Sequence, residues 1–220
     1  MTSARGRFIT LEGGEGSGKS TQARRLSEVM VAGGRQVLLT REPGGSQGAE
    51  QVREALLQGA LKAFGADVEA LLFAAARADH VQQTIRPALE RGVWVICDRF
   101  IDSTRVYQGA LGHVEAELLR ALETVSIEQA RPDLTILLDV PTATGLARAR
   151  ARAKGAPADR FEGEGASYHH KVRAAFLEIA REEPDRCVVI DASQPADLVA
   201  ARVKKAVQAR FSDAFLAAAI

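Results

Sequence analysis

The residues best suited to chemistry lie near the start of the chain: Gly13-Gly14-Glu15-Gly16-Ser17-Gly18-Lys19-Ser20, followed by Thr21. The run fits G-x-x-x-x-G-K-[ST] without a gap, and its physical reading is a phosphate cradle. Glycines open backbone conformations closed to other residues, so successive N–H groups can turn inward toward phosphate oxygens. Lys19 then reaches the β- and γ-phosphates of a nucleoside triphosphate, and the Ser20 hydroxyl ligates Mg²⁺. The alternative is a glycine-rich turn carrying a lysine by chance, and context argues against it. Before the loop, Arg7-Phe8-Ile9-Thr10-Leu11-Glu12 is short and rich in apolar and β-branched residues, as a strand should be. After it, Ala23, Leu26, Val29 and Met30 recur at helical spacing until Gly33-Gly34 stops the run. The N-terminus of that helix adds partial positive charge toward the phosphates.

Two further sites of chemistry follow strand-like runs. Thr40-Arg41-Glu42-Pro43-Gly44-Gly45 ends one run sharply and leaves Arg41 at its carboxyl edge. Asp98-Arg99-Phe100 ends another, with Asp98 in the position of a carboxylate that orients Mg²⁺ and its water. Two arginines beside Lys19 suggest a second phosphate to be clamped; the alternative is a pair of surface ion pairs. Farther along, Val68, Leu71, Leu72 and Ala75 are expected to form an apolar helical stripe, with Phe73 and Arg77 together on nearly the opposite side. An aromatic ring one turn from a guanidinium suits stacking on a base and bonding its carbonyl. Asp79 also falls on the stripe, so packing of a helix buried all round remains the alternative.

The elements that must position these residues alternate. Strands are expected at Phe8–Leu11, Gln36–Thr40, Val93–Cys97, Leu134–Asp139 and Cys187–Ile190, most of them near-continuous apolar runs buried on both faces. Helices are expected at Gln47–Gln58, Val68–Arg91 (kinked or shortened by Pro87), Glu115–Ala130, Thr142–Lys154, Tyr168–Glu182 and Ala196–Arg210. The order implies an α/β fold, a five-stranded parallel sheet flanked by helices, with ligands beyond the carboxyl ends of the strands. Residues 148–166 include a Gly- and Ala-rich stretch with Lys154, Arg160, Glu162 and Glu164, too poor in apolar side chains for a core and read as a mobile lid.

The chain has 220 residues, 46% hydrophobic and 26% charged, enough for a single domain with a substantial core. A formal net charge of +1 argues against a general nucleic-acid binder. Cys97 and Cys187 sit among apolar residues and are expected to be buried thiols. No apolar stretch reaches the roughly 18 residues of a membrane span, and the N-terminus enters the first strand at once, so neither membrane anchor nor leader is expected. These features suit a reducing cytoplasm.

The P-loop alone does not choose among a switch, a motor and a kinase. The chain contains no asparagine, which removes the N-K-x-D guanine reader of Ras-type GTPases. Partitioning-type ATPases usually carry a lysine where this chain has Gly13 and Gly14. Taken together, the P-loop, Thr40–Gly45, Leu71–Arg77, Asp98–Thr104, Tyr107-Gln108-Gly109, Arg131-Pro132-Asp133 and Asp159–Glu162 resemble the thymidylate kinase family, in matching order from the first strand to Asp191-Ala192-Ser193.

That resemblance implies Mg²⁺-dependent transfer of the γ-phosphoryl group of ATP to dTMP, giving dTDP and ADP. ATP would lie on Gly13–Thr21. Phe73 would stack on thymine, Arg77 would bond its O4, and Arg41 and Arg99 would hold the dTMP phosphate. Ser103, Thr104 and Gln108 would line the base pocket, and Tyr107 would pack under the sugar. Ser20 and Asp98 would serve the metal. Glu15 stands where relatives carry a carboxylate facing the acceptor and would work through Mg²⁺, water or neighbouring arginines. Some relatives place a basic residue directly after it; this chain has Gly16. The catalytic charge is therefore expected from the lid, from Arg152, with Arg148 toward adenine and Arg160 a secondary candidate. Arg148 and Arg152 share a helical face and Arg150 points away; a solvated basic face is the alternative. The acceptor is already an ionised phosphate, so no general base is expected, and His80, His113, His169 and His170 are read as surface or structural. The resemblance also implies a homodimer. Two other readings stay open: a kinase for another nucleoside monophosphate or a deoxynucleoside, and an ATP-binding regulatory protein without an acceptor.

Overall fold

The apolar runs become the strands of one sheet. In the computed structural model, which describes residues 5–58, 62–153 and 164–215, β1 (Phe8–Glu12), β2 (Val37–Arg41), β3 (Trp94–Asp98), β4 (Leu134–Asp139) and β5 (Cys187–Asp191) form a sheet of order β2-β3-β1-β4-β5. Every pairing is parallel. Register brings Leu11 and Arg41 level with Asp98, and Asp139 level with Asp191, so the strand ends share one edge. The period-2 alternation divides the core. Ile9, Leu11, Ile96 and Ile136 pack with α1 (Lys19–Ala32) and α9 (Ala196–Arg210) on one face. Phe8, Val95 and Cys97 pack on the other with Val81, Ile85 and Leu89. The edge strands are less enclosed than the sequence suggests, with Leu39 and Val189 exposed, because only the three inner strands have a strand on either side.

Between the strands run α2 (Gln47–Leu57), α3 (Gly65–His80), α4 (Arg86–Glu90), α5 (Ile101–Thr104), α6 (Ala116–Ile127), α7 (Thr142–Ala153) and α8 (Ala166–Glu182). The expected helix 68–91 is α3 and α4 joined by a π-helical turn, Val81–Ile85, in which the Arg86 N–H reaches Val81 O. The wider i→i+5 pattern absorbs the donor that Pro87 lacks.

The stripe expected on α3 is a correction. Leu71 and Ala75 are exposed, and the buried face carries Glu69, Ala70, Ala74, Arg77 and His80. The helix turns polar groups inward because partners wait there. Arg77 Nε donates to Glu42 Oε2 at 2.8 Å, and His80 lies between Thr40 Oγ1 (2.8 Å) and Glu42 Oε1 (3.1 Å).

A second buried polar group fixes the segment after β3. Arg186 forms two bonds to Asp102, at 2.7 and 2.9 Å, and also donates to Thr135 Oγ1. A buried ion pair needs this completeness, since a lone partner would carry an uncompensated charge. Cys97 and Cys187 are buried free thiols, and burial pushes the Cys187 thiol up to about 11. The stretch 154–163, expected to be part of a lid, with Arg160 and the run Asp159–Glu162, lies outside the described residues.

Candidate active site

The loop after β1 folds over its own lysine. Lys19 Nζ donates to Gly13 O (3.0 Å) and Gly14 O (2.9 Å). The N-terminus of α1 has Gly18 as its cap, no capping side chain and no acidic residue in the first turn, which leaves its N–H groups for an anion. Gly16 is required by shape. Its φ is +66°, and a β-carbon there would stand 1.9 Å from Gly145 O. The contact is reciprocal, since a β-carbon on Gly145 would meet Glu15 O at 2.4 Å. The first turns of α7 are thus seated on the P-loop backbone, and no side chain fits at position 16 with α7 in place.

That seating carries the arginines of α7 to the site. Arg152 donates to Glu15 Oε1 at 2.7 Å. Arg148 reaches the carbonyls of Ala192 (2.7 Å) and Ser193 (3.0 Å) beyond β5. It lines an open cleft of about 1090 Å³ with Ser17, Thr21, Gln22, Ser193 and Pro195. Arg150 is exposed on the other side of the helix.

Beside the loop lies a cleft of about 840 Å³ bordered by Lys19, Ser20, Arg41, Asp98, Arg99 and Arg152. Ser20 Oγ donates to Asp98 Oδ2 at 2.5 Å, while the buried Asp98 Oδ1 has no hydrogen-bond partner among the described residues. Arg41 pairs with Glu50 at 3.0 Å on the rim.

Next to this cleft is a cavity of about 630 Å³. Phe73 and Arg77 line it from α3. Arg99, Ser103, Thr104, Tyr107 and Gln108 line it from the segment after β3. That segment was not expected to be helical; it is α5 continued by a π-helical turn, Arg105–Ala110, which brings Tyr107 and Gln108 inward. Arg77 Nη2 bonds Thr104 Oγ1 at 3.0 Å, and the Arg99 guanidinium lies 5.5 Å from the centre of the Tyr107 ring. Gln108 Nε2 is buried without a partner among the described residues. Of the expected acceptor residues, Arg41 alone lies outside this cavity, in the adjoining cleft.

Three residues at this edge were missed. Glu12, fully buried, accepts from Phe100 N, Ser103 N and Ser103 Oγ. A carboxylate ending a central apolar strand was the available signal. Glu42 holds Arg77 and His80 and lines both the cavity and the cleft. Arg53 of α2 also lines both and donates to Pro43 O at 2.5 Å; nothing in the spacing of α2 marks it. Of the histidines, His80 and His169 are buried and His113 is exposed, and His170 Nδ1 lies 3.2 Å from Thr142 Oγ1.

A family model described as thymidylate kinase matches residues 11–203. This chain belongs to the thymidylate kinase family. It is 57% identical to the thymidylate kinase of Nitrobacter winogradskyi, covering 94% of this chain and 90% of that protein. It is 55% identical to that of Afipia carboxidovorans, covering 98% and 94%. Among solved structures, the thymidylate kinase of Ehrlichia chaffeensis superposes with a TM-score of 0.71 at 35% identity, covering 93% of this chain and 99% of that one.

In this member of the thymidylate kinase family, charge gathers at Glu15. Arg99 Nη2 lies 3.7 Å from Glu15 Oε2, opposite the Arg152 contact. Burial opposes ionisation of Glu15, but the charges of Lys19 and Arg99 and the bond from Arg152 outweigh it and bring its carboxyl down to about 2. Burial, with the Arg99 charge adding to it, lowers Lys19 to about 8. A carboxyl that is more acidic folded than unfolded stabilises the fold above its unfolded value and loses that contribution on acidification. The difference in unfolding free energy between wild type and Glu15→Gln should therefore be level just above the ordinary value of 4.5, below the range in which Lys19 titrates, and shrink as pH falls toward about 2. Denaturant titrations across that range check it; a difference independent of pH would contradict the charge cluster.

Proposed function

We propose that this chain transfers the γ-phosphoryl group of ATP to dTMP, giving dTDP and ADP, with Mg²⁺. The observation that carries this reading is the junction of two spaces. The P-loop cleft and the aromatic-lined cavity meet at Glu15, Glu42, Arg53 and Arg99, so two anions bound one in each would face each other across fixed cations. Phosphoryl transfer asks for that arrangement: in-line placement of repelling phosphates and neutralisation of charge as it spreads over the equatorial oxygens.

Phe73 stacks on thymine, Arg77 bonds its O4, and Gln108 Nε2, without a partner among the described residues, meets the base edge with Ser103 and Thr104. Tyr107 lies under the sugar and disfavours a 2′-hydroxyl. Arg99, helped by Arg41, orients the acceptor phosphate. Lys19 and the P-loop N–H groups from Gly13 to Thr21 hold the donor phosphates, and Arg148 takes the adenine end. Arg152 bridges donor and acceptor. Glu15 keeps Arg99 and Arg152 facing each other. Asp98 Oδ1, without a partner among the described residues, and the Ser20 hydroxyl fit Mg²⁺, which takes few protein ligands and completes its shell with phosphates and water. The ion supplies neutralisation of the β- and γ-phosphate oxygens. No side chain need remove a proton, because the acceptor oxygen is already ionised.

We infer a cytoplasmic enzyme of one domain whose partners are its substrates and a second copy of itself. The packed pair α3 and α6 supports the homodimer, with Leu71 48% and Val125 72% exposed on them. Sedimentation at micromolar concentration should give a dimer; a monomer would overturn that inference.

ADP release measured with dTMP, dUMP, dCMP and AMP, with and without Mg²⁺, tests the reading. Turnover should be far highest with dTMP and be lost on chelation; equal use of all four acceptors would contradict it. Arg152→Ala should lower kcat by roughly 10³–10⁵ while dTMP affinity changes little. Normal turnover would remove Arg152 from its role.

A further inference from the structure

The acceptor element begins at a strained point. Arg99 has a φ of +69°, a conformation that non-glycine residues keep only where neighbours over-determine it. The helical run that follows, Ile101–Thr104 and then Arg105–Ala110, has Phe100 as its N-cap and no capping side chain of its own.

Both needs are met from β1. Leu11 O accepts from Arg99 N at 2.9 Å. Glu12 Oε1 accepts from Phe100 N at 2.7 Å and from Ser103 N at 3.2 Å, and Glu12 Oε2 accepts from Ser103 Oγ at 2.8 Å. A carboxylate facing the first N–H groups of a helix is what an N-cap supplies, here reaching across from the neighbouring strand. Glu12 is also the residue directly before the P-loop, so one strand end fixes donor loop and acceptor element together.

We propose that Glu12 is a positioning residue: its carboxyl oxygens cap the Arg99–Ala110 element from β1 and hold Arg99, Ser103 and Tyr107 in register with the P-loop. It touches neither substrate. The proposal rests on the reading of the cavity as the dTMP site. What it demands of Glu12 is reach and two acceptors, and only secondarily charge. Gln keeps the reach and the shared Oε1 acceptor, with the Ser103 hydroxyl reversing its role toward the amide. Asp keeps the carboxyl group but is one methylene short.

The test compares Glu12→Gln and Glu12→Asp, neither of which opens a large cavity, by steady-state kinetics with each substrate varied and by the binding of ADP. Glu12→Asp should raise KM for dTMP by about tenfold to a hundredfold, the loss of one or two buried bonds, and leave KM for ATP and ADP affinity unchanged. Glu12→Gln should restore KM for dTMP close to the wild-type value. An unchanged dTMP KM in Glu12→Asp would overturn the proposal. So would a parallel loss of ATP and dTMP affinity, which marks general destabilisation, or a Gln variant as impaired as the Asp one. A wild-type chain that does not phosphorylate dTMP would instead overturn the reading on which the proposal rests, and the proposal with it.

Discussion

The geometry depends on one unfavourable assembly: Lys19, Arg99 and Arg152 brought around a single carboxylate, Glu15. Like charges at this spacing repel, and the repulsion grows as water is excluded. Glu15 offsets it, with Arg152 at 2.7 Å and Arg99 at 3.7 Å on its two oxygens. The lowered pKa of Glu15 reflects how strongly the cations favour an anion among them. A site built this way favours further negative charge, and most of all the charge of two phosphates at once.

The fold delivers each cation from a different element. Lys19 comes from the first turn of α1, Arg99 from the left-handed corner after β3, and Arg152 from the last turn of α7. β1 is the common reference. It launches the P-loop, it takes Arg99 N on Leu11 O, and its last residue caps the acceptor helix. The α7 arginine is referred to the same frame through the mutual close approach of Gly16 and Gly145. Gly145 lies inside a helix, where glycine costs about 0.5–1 kcal/mol relative to alanine. That cost is the condition for backbone-to-backbone contact. It also explains why a basic side chain cannot occupy position 16 with α7 seated on the loop; the guanidinium that reaches Glu15 there comes from Arg152 of α7.

Much of this was legible because it is local. The P-loop, the Thr40–Gly45 turn and the Asp98–Thr104 segment announce themselves by residue type and by their place after apolar strands, and the parallel sheet follows from alternation of elements. What was not legible depends on tertiary partners. The inward face of α3 was misread because Arg77 and His80 are buried against Glu42, and periodicity scores such residues as outward. The helical run after Arg99 has no apolar period, and its cap sits on another strand. Arg53 has no spacing signal at all. The absence of a basic residue at Gly16 directed attention to the arginines of residues 148–160, and family resemblance singled out Arg152 among them, whereas the reason for that glycine required Gly145 to be found beside it.

The central claim is that the cations are placed for both phosphate groups simultaneously. Its most direct test is the affinity, by calorimetry at fixed salt, of an analogue in which adenosine and thymidine are joined through five phosphates. Spanning cleft and cavity together, it should bind at least about 10²-fold tighter than ADP or dTMP alone, as a ligand resembling the transition-state arrangement does. Arg152→Ala should remove most of that gain. An analogue bound no more tightly than ADP would mean that the two spaces do not act as one site.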